Sequence, residues 1–180
     1  YYKGIFTILS SCASRQLEEV TFRRTVIPVQ ELLDAAGKYF KKLMKNRPER
    51  IELEIEPMEA KVIGDVNQLR FLLENLIDEA LTVREDGVIR LQARKDNEYI
   101  RFLFTDTRRE KSVEELNQLF YPNLARMTSG EKGELRGTEY LVCKQIIRDH
   151  DEFAGRRGCR INAEPAEGGG FTVYFTIPRR

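Results

Sequence analysis

The sequence has no tryptophan, one histidine and three cysteines in 180 residues. With His150 as the single histidine and no CxxC pair, the ligand set of a zinc site is missing. Cys12, Cys143 and Cys159 are scattered and odd in number, which excludes a disulfide framework and fits a reducing compartment. A run of about 18 apolar residues, the least that spans a bilayer, occurs nowhere. Charge of one sign is lacking too: Lys and Arg total 30 against 29 Asp and Glu, a net charge of +1. That balance gives no electrostatic case for nucleic acid or an anionic membrane. There is no signal-peptide pattern, and a start at Tyr1 rather than Met suggests a piece of something longer. No internal repeat or low-complexity tract is found.

What is there is 41% hydrophobic and 33% charged, enough for one domain with a real core. Residues 4–18 read as a short helix and 20–27 as a strand. Pro28 suits a first helical turn, and Leu32, Leu33, Ala36, Tyr39, Phe40 and Leu43 recur at helical spacing to about residue 46. Ile51, Leu53 and Ile55 alternate with glutamates as a half-buried strand, with a short strand at 61–63 after it. Asp65 can cap a helix reaching about residue 83, striped by Leu69, Leu72, Leu73, Leu76, Ile77 and Ala80. Strands at 88–94 and 99–105 flank a turn at 95–97. A short helix covers 113–120. Residues 121–136 lack any period and hold two glycines, so they read as a long loop. A helix over about 137–150 and strands at 159–164 and 171–177 close the chain. Without strict βαβ alternation, this order favours an α+β, two-layer α/β sandwich, a mixed sheet with helices on one face.

Four stretches, in order, carry a resemblance. LLENLIDEA at 72–80 looks like an N box, written N-L-L-x-N-A. FTDTRREKS at 104–112 looks like a first glycine box, D-T-G-x-G-I-P. GTEYLVCKQI at 137–146 looks like a second glycine box, and GGGFTVYFTIP at 168–178 like a final strand. Together they resemble the catalytic, ATP-binding domain of sensor histidine kinases, of the GHKL-type ATPase superfamily shared with DNA gyrase. Residues 17–33 resemble the exit from a kinase's dimerisation helix. The domain division implied is 1–18 as the end of a dimerisation-type helix or linker, and 19–180 as the ATPase-type domain.

The resemblance implies a histidine-kinase-like ATPase fold, ATP and Mg²⁺ as cofactors, and a nucleotide site at Asn75, Glu79, Asp106, Thr107 and Gly137. The metal position falls on Glu79, where the family usually has asparagine; a carboxylate is a good hard-cation ligand. Asn75, Glu79 and Thr82 share a flank of their helix, which an ordinary amphipathic helix would also show. Asp106 ends an inward row with Ile100, Phe102 and Phe104. In the family it accepts a hydrogen bond from adenine; the plainer reading pairs it with Arg108 or Arg109.

The glycine boxes are degenerate. Arg108, Glu110 and Glu139 stand where the family has glycines that let backbone amides approach phosphate. Arg108 could partly replace a phosphate contact; the glutamates would repel phosphate. His150, in a helix end, reads as structural rather than as a phosphoacceptor, and no residue of the chain is expected to be catalytic. The reading is therefore the cytoplasmic C-terminal domain of a two-component sensor, a pseudokinase with impaired ATP binding. The alternative is an active ATP- and Mg²⁺-binding kinase domain that phosphorylates a histidine outside this chain. Implied partners are upstream dimerisation and phosphotransfer helices, a response regulator and a second copy in the full-length protein. Nucleic acid and membrane contact are not expected.

Overall fold

The computed structural model describes residues 21–123, 128–129 and 135–180. The expected helix at 4–18 lies outside them, as do Leu124 and Met127 of the 121–136 loop, which is expected either to be poorly ordered or to collapse into a vacant nucleotide pocket with these two as plugs. A short strand β1 (Thr25–Pro28) leads into helix α1 (Val29–Met44), whose N-cap is Pro28. Val29, Leu32, Leu33, Ala36 and Phe40 form its buried stripe. Strands β2 (Ile51–Ile55) and β3 (Lys61–Gly64) follow, and β3 pairs antiparallel with β1 as a small separate sheet.

Helix α2 (Val66–Ala80) starts where Asp65 accepts hydrogen bonds from the amides of Asn67 and Gln68, satisfying two of its orphan N–H groups. Strands β4 (Gly87–Asp96) and β5 (Tyr99–Asp106) form a hairpin, with Asn97 in a left-handed conformation at the turn. Helix α3 (Val113–Asn117) opens on a capping box between Ser112 and Glu115. The stretch expected as an unstructured loop contains two short strands, β6 (Thr128–Ser129) and β7 (Leu135–Arg136), paired antiparallel. Two-residue strands carry no alternation to read. Helix α4 (Glu139–Phe153) and the hairpin of β8 (Ile161–Pro165) and β9 (Phe171–Pro178) complete the order.

The main sheet has five strands in the order β2-β4-β5-β9-β8. β2 runs parallel to β4 and all other pairs are antiparallel, so the sheet is mixed. The register puts Leu91, Phe104 and Val173 in one cross-strand row, and Ile89, Asp106 and Phe171 in the next. These residues are all buried, whereas Arg90, Gln92 and Arg94 on the opposite face of β4 are not. One face of the sheet thus meets the helices, as the alternation predicts. Phe102 and Phe175 stack at 4.9 Å in the middle of that core.

His150 is structural, as expected. It is fully buried; its Nε2 accepts from the amide of Asp65 and its Nδ1 faces the carbonyl of Ile146 at 2.8 Å. Accepting at Nε2 fixes the proton on Nδ1. The ring lies so close to Gly64 that a Cβ there would come within 2.8 Å of it. Burial pushes the imidazole down to about 4, against weaker upward pulls from the Ile146 carbonyl and Asp65. The unfolded chain binds this proton near pH 6.5, so stability contributed by neutral His150 is full above that value. It is lost as pH falls through the window down to about 4, a loss of about 3 kcal/mol in all. Denaturant melts at pH 7.5 and 4.5 are expected to differ by less in His150→Gln than in the wild type. An identical pH dependence in the two would contradict this assignment.

Candidate functional site

The C-terminal end of α2, the end of β5 and the first turn of α4 converge. Asp106 closes β5 on the core-facing row, as its parity predicts, and its side chain is 1% exposed. A carboxylate in such a place must be compensated. Two hydrogen bonds reach Oδ1, from the Arg108 amide and its Nε, both at 3.0 Å. Two more reach Oδ2, from Arg108 Nη2 at 3.0 Å and Arg109 Nε at 2.9 Å. A carboxylate offers about four acceptor positions, and here the chain's own arginines fill them.

Arg108 is equally saturated. Besides Asp106 it donates to the carbonyls of Ala80 (2.7 Å), Val83 (2.9 Å) and Glu85 (2.9 Å). All five guanidinium N–H groups therefore have acceptors. Ala80 ends α2, where a cation suits the helix dipole, and Val83 and Glu85 lie in the exit from it. Arg108 is thus the C-terminal cap of the helix that carries the N box. Its aliphatic stem crosses Gly87, where a Cβ would lie 2.6 Å from Arg108 Cγ; with φ at +144°, that position demands glycine on both counts. The expectation that Arg108 stands in for a phosphate contact is corrected: its side chain is turned inward and is 1% exposed.

Arg109 links this pair to the expected metal position. Its Nη1 and Nη2 hold the two oxygens of Glu79 at 3.0 and 2.7 Å, a bidentate fork, and its face covers the Phe171 ring. The Tyr140 hydroxyl donates to the same Glu79 oxygen that Nη2 holds. Burial alone would push the Glu79 carboxyl up; the Arg109 hydrogen bonds and charge, with Tyr140, outweigh it and hold the group below its usual range. Arg109 is raised for the converse reason, its desolvation being overcome by Glu79.

Of the other residues implied by the resemblance, Asn75 sits one turn before Glu79 and donates to the Phe71 carbonyl of its own helix. Thr107 donates through both its amide and its hydroxyl to the Val88 carbonyl. Gly137 has φ of +84° just before α4. Thr82 lies beyond the helix end, its hydroxyl on the Glu79 carbonyl. Glu110 accepts from the amide of Gly170. Glu139 is half-buried, and desolvation with the like charges of Glu79 and Asp78 raises it. Glu79 and Asp106 are thus brought together through Arg109, and Tyr140 is the member that sequence reading missed. Its position four residues before Lys144 on the apolar side of an amphipathic helix gave no sign of a carboxylate partner.

The chain's own donors thus take the acceptor positions of Asp106, and Arg109 and Tyr140 hold both oxygens of Glu79. Among the described residues no cluster of His, Cys, Asp and Glu is placed to hold a metal ion.

No curated protein matches the sequence. Among solved structures, the nucleotide-free catalytic domain of the histidine kinase ThkA superposes with a TM-score of 0.65 at 21% identity, covering 89% of this chain and 98% of that one. The mycobacterial sensor histidine kinase MprB gives 0.66 at 18% identity, over 88% and 99% of the two chains. Acinetobacter baumannii histidine kinase AdeS gives 0.64 at 14%, over 96% and 76%. At such identities the likeness establishes the fold. A family model described as histidine kinase-, DNA gyrase B- and HSP90-like ATPase matches residues 64–180. The chain therefore belongs to the histidine kinase-, DNA gyrase B- and HSP90-like ATPase family.

Proposed function

We propose that this chain is the catalytic-type domain of a two-component sensor histidine kinase that no longer binds ATP productively, a pseudokinase acting as a folded signalling module. The observation that carries this is the occupation of every acceptor position of Asp106 by Arg108 and Arg109. An adenine amino group would have to displace a buried guanidinium that also caps α2. A Mg²⁺ at Glu79 would have to break the Arg109 fork and would meet the charge of Arg109, which Asp106 still holds in place. Residues 1–18 are read as the end of an upstream dimerisation helix and 19–180 as the domain, working in the cytoplasm as part of a dimer. No helix among the described residues is long and apolar enough to cross a membrane. One similar structure is ThkA in complex with the response regulator TrrA, of which this chain spans 49%. On that precedent a response regulator is the partner class proposed here.

Thermal melting tests the loss of nucleotide binding. A ligand present at 100 times its Kd stabilises a native state by about 2.7 kcal/mol, which shifts the Tm of a domain of this size by several degrees. The expected midpoint is unchanged by millimolar MgATP. A rise of several degrees that depends on Mg²⁺ would favour the active-kinase reading instead.

A further inference from the structure

A hollow of about 570 Å³ lies away from the Asp106 site, between α4 and the edge strand β8, with Leu116 and Asn117 of α3 and Phe120 and Tyr121 after it as a third wall. Lys144, Ile147, Arg148 and Asp151 line it at the i, i+3, i+4, i+7 spacing of one helix face. Arg160, Ile161, Asn162 and Ala163 line the other wall in sequence. Successive strand residues point to opposite faces of a sheet. A hollow touched by all four, and by Tyr174, which pairs with Asn162, therefore reaches round the edge of the sheet.

Two independent features mark this place. The first is charge. Lys144, Arg148 and Arg160 surround the hollow, and none of them forms an ion pair among the described residues. Lys144 lies over the Tyr121 ring and, among the described residues, donates to the Phe120 carbonyl at 3.5 Å. Asp151, the one acid in the lining, is committed elsewhere: it accepts from the amides of Gly158 and Cys159 and pairs with Arg157. Arg156 and Arg157, close before Arg160 in sequence, have acidic neighbours in Glu98, Asp151 and Glu152. The second feature is the backbone. The Thr176 amide donates to the Arg160 carbonyl, so the antiparallel alternation turns the peptide groups of Arg160, Asn162 and Glu164 toward β9. Those of Ile161 and Ala163 face outward, where no strand among the described residues pairs with them. Such an edge is a template for another chain. Pro165, without an N–H, ends the template at one side.

We propose that this groove takes an extended acidic peptide of a partner protein, added as a further strand on β8 with its carboxylates on Lys144, Arg148 and Arg160. Backbone pairing at Ile161 and Ala163 supplies register, and the three cations select the sign of the ligand. The proposal does not depend on whether nucleotide binds at Asp106.

The probe is a fluorescein-labelled peptide of about eight residues with glutamates alternating with valines, its anisotropy followed as the full chain is added. Saturable binding is expected, weakened about tenfold or more by the pair Arg148→Glu and Arg160→Glu, and reduced by added salt. A lysine-for-glutamate version of the peptide is expected not to bind. N-methylation of alternate amides of the acidic peptide, which removes its strand donors without changing charge, is expected to abolish binding. In the protein, Ala163→Pro deletes an outward N–H while sparing the β9 ladder, and is expected to weaken the peptide but not the fold. Inorganic phosphate in place of the peptide separates a small-anion site from a peptide site. Phosphate that competes fully at equal concentration, an N-methylated peptide that binds undiminished, or no saturation by about 1 mM protein would each overturn the proposal.

Discussion

Replacing Arg108 by alanine is expected to cost about 3–5 kcal/mol of folding stability, the range found when one partner of a buried ion pair is removed. The loss has three parts that act in one direction. Asp106 keeps only Arg109 on one oxygen and the residue-108 amide on the other, in a site where its side chain is 1% exposed. The carbonyls of Val83 and Glu85 lose this donor and that of Ala80 keeps only the Val83 amide, which loosens the exit from α2. The space over Gly87 is emptied as well. Asp106→Asn is expected to cost less, because an amide oxygen still accepts from Arg108. A double-mutant cycle between positions 106 and 108 in urea melts should return a coupling energy of more than about 1 kcal/mol. Additive effects, or an Arg108→Ala variant of native stability, would contradict the structural role given to this pair.

The same geometry changes what glycine restoration should do. Glycine at 108 would reinstate the family's box, yet it removes the cap of α2 and the counter-ion of Asp106 together. Arg108→Gly is therefore expected to lower stability before it yields any nucleotide affinity. At the position where the family's box has a glycine, this chain has an arginine that binds Asp106 and the exit of α2.

How far this was visible in the sequence differs between local and distant features. The stripes of α1 and α2, the Asp65 cap and the alternation of β2 are written in neighbouring residues, and the structure matches them to within a few positions. The inward parity of Asp106 was legible for the same reason. The end of α2 was not. Periodicity carries it to about residue 83, whereas the helix closes at Ala80, where a guanidinium 28 residues further on takes the carbonyl. The partners of Glu79 were equally hidden, since Arg109 and Tyr140 come from β5's exit and α4. The groove at β8 needed the strand order, because an edge is a property of the sheet and not of any segment.

Titration calorimetry with MgATP tests most directly the proposed closure of the family's nucleotide site by Arg108 and Arg109. A triphosphate needs backbone donors, a metal and nearby cations. In their place stand a saturated Asp106, a forked Glu79 and a half-buried Glu139 raised by desolvation and its acidic neighbours. The wild-type chain is expected to give no saturable heat with ATP up to about 1 mM, a ceiling of roughly 4 kcal/mol of binding, whether or not Mg²⁺ is present. Micromolar, Mg²⁺-dependent binding that Asp106→Asn abolishes would contradict the account, because it would show the carboxylate free to meet adenine.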